Sequence, residues 1–189
     1  MKNTARFEFI PTSLEGLTVV QRKQIADHRG FFCRFFCAEE FGSVGWKKPV
    51  TQMNHTLTLE KGAVRGLHFQ QPPHAEMKLV SCFRGEIFDV AVDIRKGSPT
   101  FLCWHGEILS EKNQKSLLIP EGFAHGFQTL QENCELLYLH SEPYHASAEG
   151  GLNVADTAIG IDWPLPLTGL SGRDQGHPRV HADFMGIIL

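Results

Sequence analysis

The chain has 189 residues, a length that favours one domain with a single core over two domains. Its formal net charge of −3, with 42% hydrophobic and 21% charged residues, gives no electrostatic argument for nucleic acid or an anionic membrane, so neither is expected as a partner. Five scattered cysteines and the absence of an apolar run of signal or membrane-spanning length predict free thiols and a cytoplasmic location.

Short β-strands, separated by Gly, Pro and polar turns, are predicted along most of the chain. The predicted strands are 17–21, 31–36, 50–57, 64–70, 78–83, 87–94, 101–109, 116–119, 126–130 and 134–140. One short helix is predicted at 38–42. Evenly spaced strands with so little helix are typical of an all-β antiparallel sandwich, jelly roll or barrel. We expect a jelly-roll core at about 17–145 and an irregular C-terminal tail at 146–189 that packs on it within the same domain.

The predicted strand at 87–94 alternates between two kinds of residue. Its even-numbered positions are Phe, Val, Val and Ile, while Asp89 and Asp93 take the opposite face. Arg84 and Gly85, between this run and the preceding one, predict a tight β-hairpin.

The predicted strand at 64–70 carries a cation, Arg65, and an imidazole, His68. Strict alternation would send them to opposite faces, but Gly66 lies between them, and a glycine inside a strand often marks a bulge that changes where side chains point. A bulge would let both side chains face one interior. The alternative is a surface arginine and a hydrogen-bonded core histidine.

A Pro-Pro loop leads into the strand that begins with Lys78, whose side chain shares a face with Val80 and Cys82. Burying an ammonium on an apolar face costs free energy. A lysine there indicates either a functional role or an edge position from which the ammonium reaches water, and the residues alone leave both interpretations open.

The segment 119–127 reads Ile-Pro-Glu-Gly-Phe-Ala-His-Gly-Phe. This turn, which ends near His125, resembles the second motif of cupins, small jelly-roll barrels whose interiors hold active sites. A metal-binding cupin would carry His-x-His and a nearby carboxylate in its first motif, but here His68 is followed by Gln70, and Glu76 lies beyond the Pro-Pro loop. Two histidines, an amide and a displaced carboxylate make a poor divalent-metal site, so we expect no metal.

Two further groups have ordinary explanations when taken alone. Tyr138 lies on an alternating strand and shares a face with Leu136, as a core aromatic residue would. Asp174, in a Leu-Ser-Gly-Arg-Asp segment of the tail, is typical of a solvated loop carboxylate, although it could also reach a histidine ring.

Taken together, these segments resemble the dTDP-4-dehydrorhamnose 3,5-epimerase family, which has the cupin fold. The likeness covers the chain from about Phe9 to Pro178. The matching segments, in order, are 27–32, 52–54, 61–70, 72–73, 78–80, 85–95, 98–101, 119–127, 161–164 and 170–174. Many motifs in the right order are more specific than any one of them, so the resemblance favours the functional interpretation of each group.

The resemblance implies an epimerase without metal or cofactor that acts on a keto sugar carried on a nucleotide. It implies that His68 is the general base and that Asp174 orients its ring. It also implies that Tyr138 is the acid on the opposite face of the sugar and that Lys78 is the cation beside the developing enolate. Inverting a carbon next to a ketone needs this kind of set, because the enolate oxygen must be stabilised and a proton must move on each face.

The substrate-binding residues implied by the resemblance are Arg29, Phe32, Gln52, Asn54, Arg65, His125 and Tyr144. Arg29 and Phe32 match an N-terminal strand that contributes to nucleotide binding, in this family often across a dimer interface. We therefore expect a homodimer in which this strand reaches the partner's site. Guanidinium groups suit a diphosphate because they match its oxygens in bidentate geometry.

One departure from the family pattern is Arg34, because many members of the family carry Glu at this place. The difference bears on the choice of nucleotide.

The resemblance as a whole predicts inversion at C3, or at C3 and C5, of a nucleotide-linked 4-keto-6-deoxyhexose, with dTDP as the expected nucleotide. A 3-epimerase or 3,4-ketoisomerase of a different nucleotide sugar is the alternative. A non-catalytic or metal-binding cupin is less favoured.

Overall fold

The computed structural model describes residues Met1 to Leu189 and contains fourteen strands and two short helices. The strands are β1 (Lys2–Asn3), β2 (Phe7–Pro11), β3 (Thr18–Arg22), β4 (Gln24–Asp27), β5 (Gly30–Cys33), β6 (Gln52–Thr58), β7 (Val64–Gln70), β8 (Lys78–Arg84), β9 (Glu86–Asp93), β10 (Trp104–Ser110), β11 (Lys115–Ile119), β12 (Phe123–Thr129), β13 (Cys134–His140) and β14 (Glu149–Gly151). The helices are α1 (Ala38–Gly42) and α2 (Gly172–Gln175). Neither helix has the length and apolar character needed to cross a membrane.

Two antiparallel sheets face each other, as in a jelly roll. The first sheet has the order β1-β2-β3-β11-β8-β13-β6, and the second has the order β10-β9-β12-β7-β14. The strands β4 and β5 form a separate two-stranded ribbon. The all-β prediction is confirmed, and β7, β13 and α1 have the predicted bounds.

Three apolar clusters hold the layers together. Val80, Leu117 and Phe127 belong to the cluster between the two sheets. A second cluster covers the outer face of the first sheet, beneath Phe41 and Trp46 of the α1 region. A third cluster covers the outer face of the second sheet, where buried residues of the tail such as Leu152, Val154 and Ile159 pack. Both outer faces are therefore closed, and the polar side chains of the inner faces are left to line the space between the sheets.

The prediction of a tight hairpin at Arg84 and Gly85 is wrong, because β8 and β9 do not pair with each other. β8 pairs with β11 and β13 in the first sheet, whereas β9 pairs with β10 and β12 in the second. Gly85 has a φ of +78°, and a Cβ there would lie 2.7 Å from Sγ of Cys134. The glycine does mark a turn, but the turn carries the chain from one sheet to the other, because a turn residue does not specify which strands pair.

Four strands, β1, β2, β4 and β14, have no counterpart among the predicted ones, and the strand predicted at 31–36 ends at Cys33. The sequence of β14, Glu149–Gly151, has no alternation that would predict a strand. It becomes a strand because it pairs with β7, and Gly150 leaves room for the ring of Phe69, whose Cζ would lie 2.5 Å from an added Cβ. Tertiary pairing decides such short edge strands, so local propensity does not predict them.

Candidate active site

One cavity, about 360 Å³ in volume, opens between the two sheets. Most of the side chains that line it are polar or charged. They are Gln52, Asn54, Thr56, Arg65, His68, Phe69, Gln70, Glu76, Lys78, His125, Phe127, Tyr138, His140, Tyr144, Glu149 and Arg173. A polar lining of this kind suits a hydrophilic ligand.

The lining side chains come from two facing walls. β7 and β12 of the second sheet supply Arg65, His68 and His125, whereas β8 and β13 of the first sheet supply Lys78 and Tyr138. A molecule held in the cavity would have an imidazole on one side and a phenol on the other, with an ammonium in the same space.

A bulge at Gly66 places Arg65 and His68 on the same wall, which is one of the two arrangements that the sequence left open. β7 has two residues between Arg65 and His68, where β12 has one residue between their pairing partners. Gly66 has a φ of +140°, and a Cβ there would lie 2.6 Å from Cα of Gly126. Only glycine fits this backbone and this close approach, so the bulge depends on it.

Asp174 contacts His68 from the C-terminal tail. Nε2 of His68 lies 2.7 Å from Oδ1 of Asp174, which is buried. The hydroxyl of Ser171 accepts a hydrogen bond from the backbone N–H of Asp174 and fixes the turn that carries the carboxylate. Because an ionised carboxylate only accepts, Nε2 carries the proton, and Nδ1, which has no hydrogen-bond partner in the protein and is not enclosed, is the basic nitrogen.

Charges of both signs surround His68. Burial lowers its pKa most, the hydrogen bond and the charge of Asp174 raise it, Arg173 and Lys78 lower it further, and the net direction is downward. The Arg173 guanidinium has Nη2 3.3 Å from Nε2 of His68 and Nη1 3.0 Å from Oε1 of Glu149. The imidazole is therefore neutral near pH 7, as a general base must be.

Tyr138 occupies the opposite wall, on β13. It lines the cavity, and the side chain of Thr56 on β6 is the hydrogen-bonding neighbour of its hydroxyl. Burial and then the charge of Asp89 raise the pKa of this phenol well above its usual range. The phenol therefore keeps its proton and is able to donate it to a strongly basic carbon.

Lys78 is buried at the beginning of β8 and is paired with a carboxylate. Its Nζ lies 3.1 Å from Oε1 of Glu76 and 3.4 Å from the carbonyl oxygen of His68. Val80 and Cys82, which share its face as predicted, belong to the cluster between the sheets. The ammonium thus lies inside the cavity and not at a solvated edge.

His125 and Asp89 form a buried pair behind the cavity, with Nε2 of His125 2.8 Å from Oδ1 of Asp89. Burial raises the pKa of Asp89, although the charge and hydrogen bond of His125 act in the opposite direction. The face of β9 that carries Asp89 is therefore the interior face. The pair holds the His125 ring beside Tyr138, at a centroid distance of 6.1 Å.

The structure does not bring Arg29 and Phe32 to the cavity. Both belong to the β4–β5 ribbon, where Phe32 is 57% exposed and Nη2 of Arg29 lies 2.6 Å from Oδ2 of Asp27. Arg34, the departure from the family pattern, has Nη1 3.1 Å from Oε2 of Glu40. The other predicted substrate-binding residues line the cavity, and they are Gln52, Asn54, Arg65, His125 and Tyr144.

Several residues of the cavity were missed by the sequence analysis. Glu76 was considered only as a displaced metal ligand, and His140, Arg173 and Glu149 were given no role. The alternation of β13 could have found His140, because it lies two residues after Tyr138 and so shares its face. No sequence signal joins His140 to Glu76, which is 64 residues away.

Two groups of side chains have ligand types suited to a metal. The first is His68 and Asp174 with His177, but the Arg173 guanidinium 3.3 Å from Nε2 of His68 places a positive charge where a cation would bind. The second is His74, Glu142 and His145. In it the two imidazole rings stack 3.6 Å apart at 22°, so their in-plane lone pairs do not converge on one point. Neither arrangement fits a divalent metal.

Several solved structures with this architecture are sugar-nucleotide epimerases. The dTDP-6-deoxy-D-glucose-3,5-epimerase of Legionella pneumophila, solved in complex with dTDP-4-keto-L-rhamnose, matches with a TM-score of 0.90 and 37% identity, covering 97% of this chain and 99% of that one. In sequence, the chain is 46% identical to the dTDP-4-dehydrorhamnose 3,5-epimerase of Salmonella typhimurium over 89% of this chain and 93% of the relative. It is 37% identical to the dTDP-4-dehydrorhamnose 3-epimerase of Streptomyces niveus over 87% of this chain and 80% of the relative.

The fold and these relatives define the protein as an isomerase that acts on sugars, built on a cupin-type jelly roll. The sequence profile described as dTDP-4-dehydrorhamnose 3,5-epimerase matches residues 11–182. The chain therefore belongs to the dTDP-4-dehydrorhamnose 3,5-epimerase family. The predictions of family, fold class and enzyme class are confirmed.

Proposed function

We propose that the protein inverts C3, or C3 and C5, of a dTDP-linked 4-keto-6-deoxyhexose by moving protons through an enolate. His68 is the base, Tyr138 is the acid, and Lys78 stabilises the enolate oxygen. The observation that carries the proposal is the placement of an imidazole and a phenol on opposite walls of one cavity, with an ammonium in the same space.

The reaction begins when Nδ1 of His68 removes the proton from the carbon next to the ketone. The electron pair of the broken C–H bond moves into the ring and leaves negative charge on the ketone oxygen, which Lys78 stabilises without changing its own protonation state. Tyr138 then donates its proton to the same carbon from the other face and inverts it. Proton exchange with water then restores the neutral imidazole and the phenol. Only protons have moved, so the sugar is neither oxidised nor reduced.

The substrate class is supported by the relatives and by the charge of the cavity. The Legionella epimerase was solved with a dTDP-4-keto sugar, and a related structure from Bacillus anthracis was solved with TDP and pyrophosphate. In the present chain, Arg65 and Arg173 supply guanidinium groups at the cavity. Such groups suit the diphosphate of a nucleotide sugar.

The number of inverted centres separates the two nearest alternatives. The Salmonella relative is named a 3,5-epimerase and the Streptomyces relative a 3-epimerase, and the two matches cover 89% and 87% of this chain, respectively. We propose inversion at both carbons, because the identity to the 3,5-epimerase is higher, at 46% against 37%.

Solvent deuterium exchange tests the proposed reaction. The protein is incubated in heavy water with dTDP-4-keto-6-deoxyglucose, and the sugar is analysed by NMR. We expect deuterium at C3 and C5, whereas a 3-epimerase would label C3 alone and a 3,4-ketoisomerase would move the carbonyl. Exchange at neither carbon, with intact dTDP binding, would rule out the epimerase.

We also propose a homodimer in which the β4–β5 ribbon brings Arg29 and Phe32 to the partner's cavity. Support comes from the ribbon, which pairs with neither sheet and exposes Ile25 (47%), Phe31 (62%) and Phe32 (57%). Light scattering is expected to give a dimer for the unmodified protein, and Phe31→Ser is expected to give monomers with weakened dTDP binding. A monomeric unmodified protein would contradict this arrangement.

We further propose that residues 1–189 act as one domain in the cytoplasm. The single domain is supported by the buried tail residues on the second sheet and by Asp174, which the tail supplies to His68. The cytoplasmic location is supported by the five unpaired cysteines.

A further inference from the structure

A carboxylate lies between two cationic or hydrogen-donating groups at one wall of the cavity. Oε1 of Glu76 is 3.1 Å from Nζ of Lys78, and Oε2 is 2.8 Å from Nδ1 of His140. Both carboxylate oxygens are thus used, and all three side chains are at most 11% exposed. Burial raises the pKa of Glu76, but the charge of Lys78 and the hydrogen bond of His140 lower it more, and the net direction is downward.

The contacts continue from His140 along the same wall. Nε2 of His140 lies 3.2 Å from Nδ2 of Asn54, and Oδ1 of Asn54 accepts a hydrogen bond from Nε2 of Gln52 at 3.2 Å. Oε1 of Gln52 accepts a hydrogen bond from the backbone N–H of Tyr144 at 3.0 Å. One chain of hydrogen bonds therefore joins Lys78 to the backbone at Tyr144, through Glu76.

The backbone N–H of Tyr144, at one end of this row of hydrogen bonds, decides which group donates and which accepts in each of them. A backbone N–H only donates, so Gln52 must turn its oxygen to Tyr144 and its amide nitrogen to Asn54. Asn54 must then turn its amide nitrogen to His140, whose Nε2 has to be an acceptor. The imidazole is consequently neutral with its proton on Nδ1, where it donates to Glu76.

We propose that His140 is a positioning residue for catalysis: as a neutral imidazole protonated on Nδ1, it holds Glu76 in place, and Glu76 in turn holds Lys78 where the enolate oxygen develops. The proposal rests on the function proposed above for Lys78. It assigns a role to two residues, Glu76 and His140, that do not themselves touch the reacting carbons.

Because the hydrogen bonds run in this direction, the side chain at position 76 must accept a hydrogen bond from each of two donors. A carboxylate accepts from both Lys78 and His140, whereas a glutamine at that place would have one oxygen for two donors. His140 is unable to adapt by moving its proton to Nε2, because Asn54 and Gln52 would have to flip and would place an amide nitrogen against the N–H of Tyr144. Glutamine at 76 therefore displaces Lys78 unless His140 is also removed.

A double-mutant cycle tests this demand through kcat and KM for the dTDP-4-keto sugar. Glu76→Gln is expected to lower kcat on the order of 100-fold, and His140→Ala about tenfold, with KM changed less than threefold, because the displaced ammonium acts mainly in the transition state. In the Glu76→Gln/His140→Ala protein the single glutamine oxygen is free for Lys78, so kcat is expected to recover to within about tenfold of the unmodified protein. His140→Asn, which keeps a donor near the Nδ1 position, should lose less than His140→Ala.

A matched control is His55→Ala, which breaks a comparable imidazole–carboxylate contact, 3.0 Å to Glu135, on a surface outside the cavity. Its kcat should be unchanged. If the double variant is as slow as the product of the two single losses, about 1000-fold, or if Glu76→Gln costs less than threefold, His140 does not position Lys78 through Glu76.

The protonation of His140 is measured separately by ¹H–¹⁵N NMR of the imidazole nitrogens, with the His140→Asn protein to assign its signals. We expect a protonated Nδ1 and a bare Nε2 at neutral pH. A proton on Nε2 would overturn the proposal. This NMR measurement does not depend on turnover. If the protein failed to exchange deuterium, the proposed reaction would be refuted, and the tautomer of His140 would still be tested separately.

Discussion

Replacing His68 by asparagine is expected to lower kcat for the dTDP-4-keto sugar on the order of 1000-fold, because the substitution removes the imidazole that is proposed to take the proton and that a buried carboxylate orients. The dissociation constant for dTDP should change less than threefold, since the proposed role of His68 is at the sugar. Stopped assays give the first quantity and calorimetric titration gives the second. Retention of a tenth or more of the activity would show that another group removes the proton.

Asp174→Asn provides the graded comparison for this experiment. The asparagine keeps the shape of the side chain but removes the charge that raises the pKa of His68. In the unmodified protein, the acid limb of the pH profile of kcat/KM should lie below pH 6.5, because burial lowers the pKa of His68. In the Asp174→Asn variant this limb is expected to move to still lower pH. A shift to higher pH would mean that the acid limb reports a different group.

Replacing Tyr138 by phenylalanine is expected to separate proton exchange from inversion. Formation of the epimer should fall on the order of 100-fold or more, because in the proposed mechanism Tyr138 delivers the proton to the carbon from that wall. Deuterium from heavy water should still enter the starting sugar, since His68 removes a proton and returns a solvent-derived one on the same face. NMR of the recovered sugar distinguishes labelled starting material from labelled epimer.

The opposite outcome for Tyr138→Phe is equally informative. If exchange and inversion fall together, then Tyr138 takes part in forming the enolate and does not act only as the acid of the second step. Thermal unfolding of the variant should stay close to that of the unmodified protein, because the substitution removes only the hydroxyl next to Thr56, and one such hydrogen bond contributes about 1 kcal/mol to stability. Loss of folded protein would leave the kinetic comparison without meaning, so this control is measured first.

The local pattern of the sequence predicted those strands that alternate clearly and are buried. β7 and β13 have the predicted bounds, and the glycine inside β7 forms the bulge that the sequence offered as one of two interpretations of Arg65 and His68. Strands whose existence depends on a partner, such as β14, were not predicted. The turn at Gly85 was recognised, but its partners were wrong, because pairing between distant strands is decided by how the two sheets close on each other.

The amino-acid sequence by itself determined the family, the all-β class and the residue types of the proposed chemistry, because these depend on motifs and on a side-chain period of two that local residues carry. The family resemblance implied that Asp174, 106 residues away, orients His68, but only the tertiary structure decided that Glu76 lies between Lys78 and His140. Such contacts join segments far apart in the chain, and their hydrogen-bond directions depend on atoms, such as the backbone N–H of Tyr144, that no side-chain pattern records.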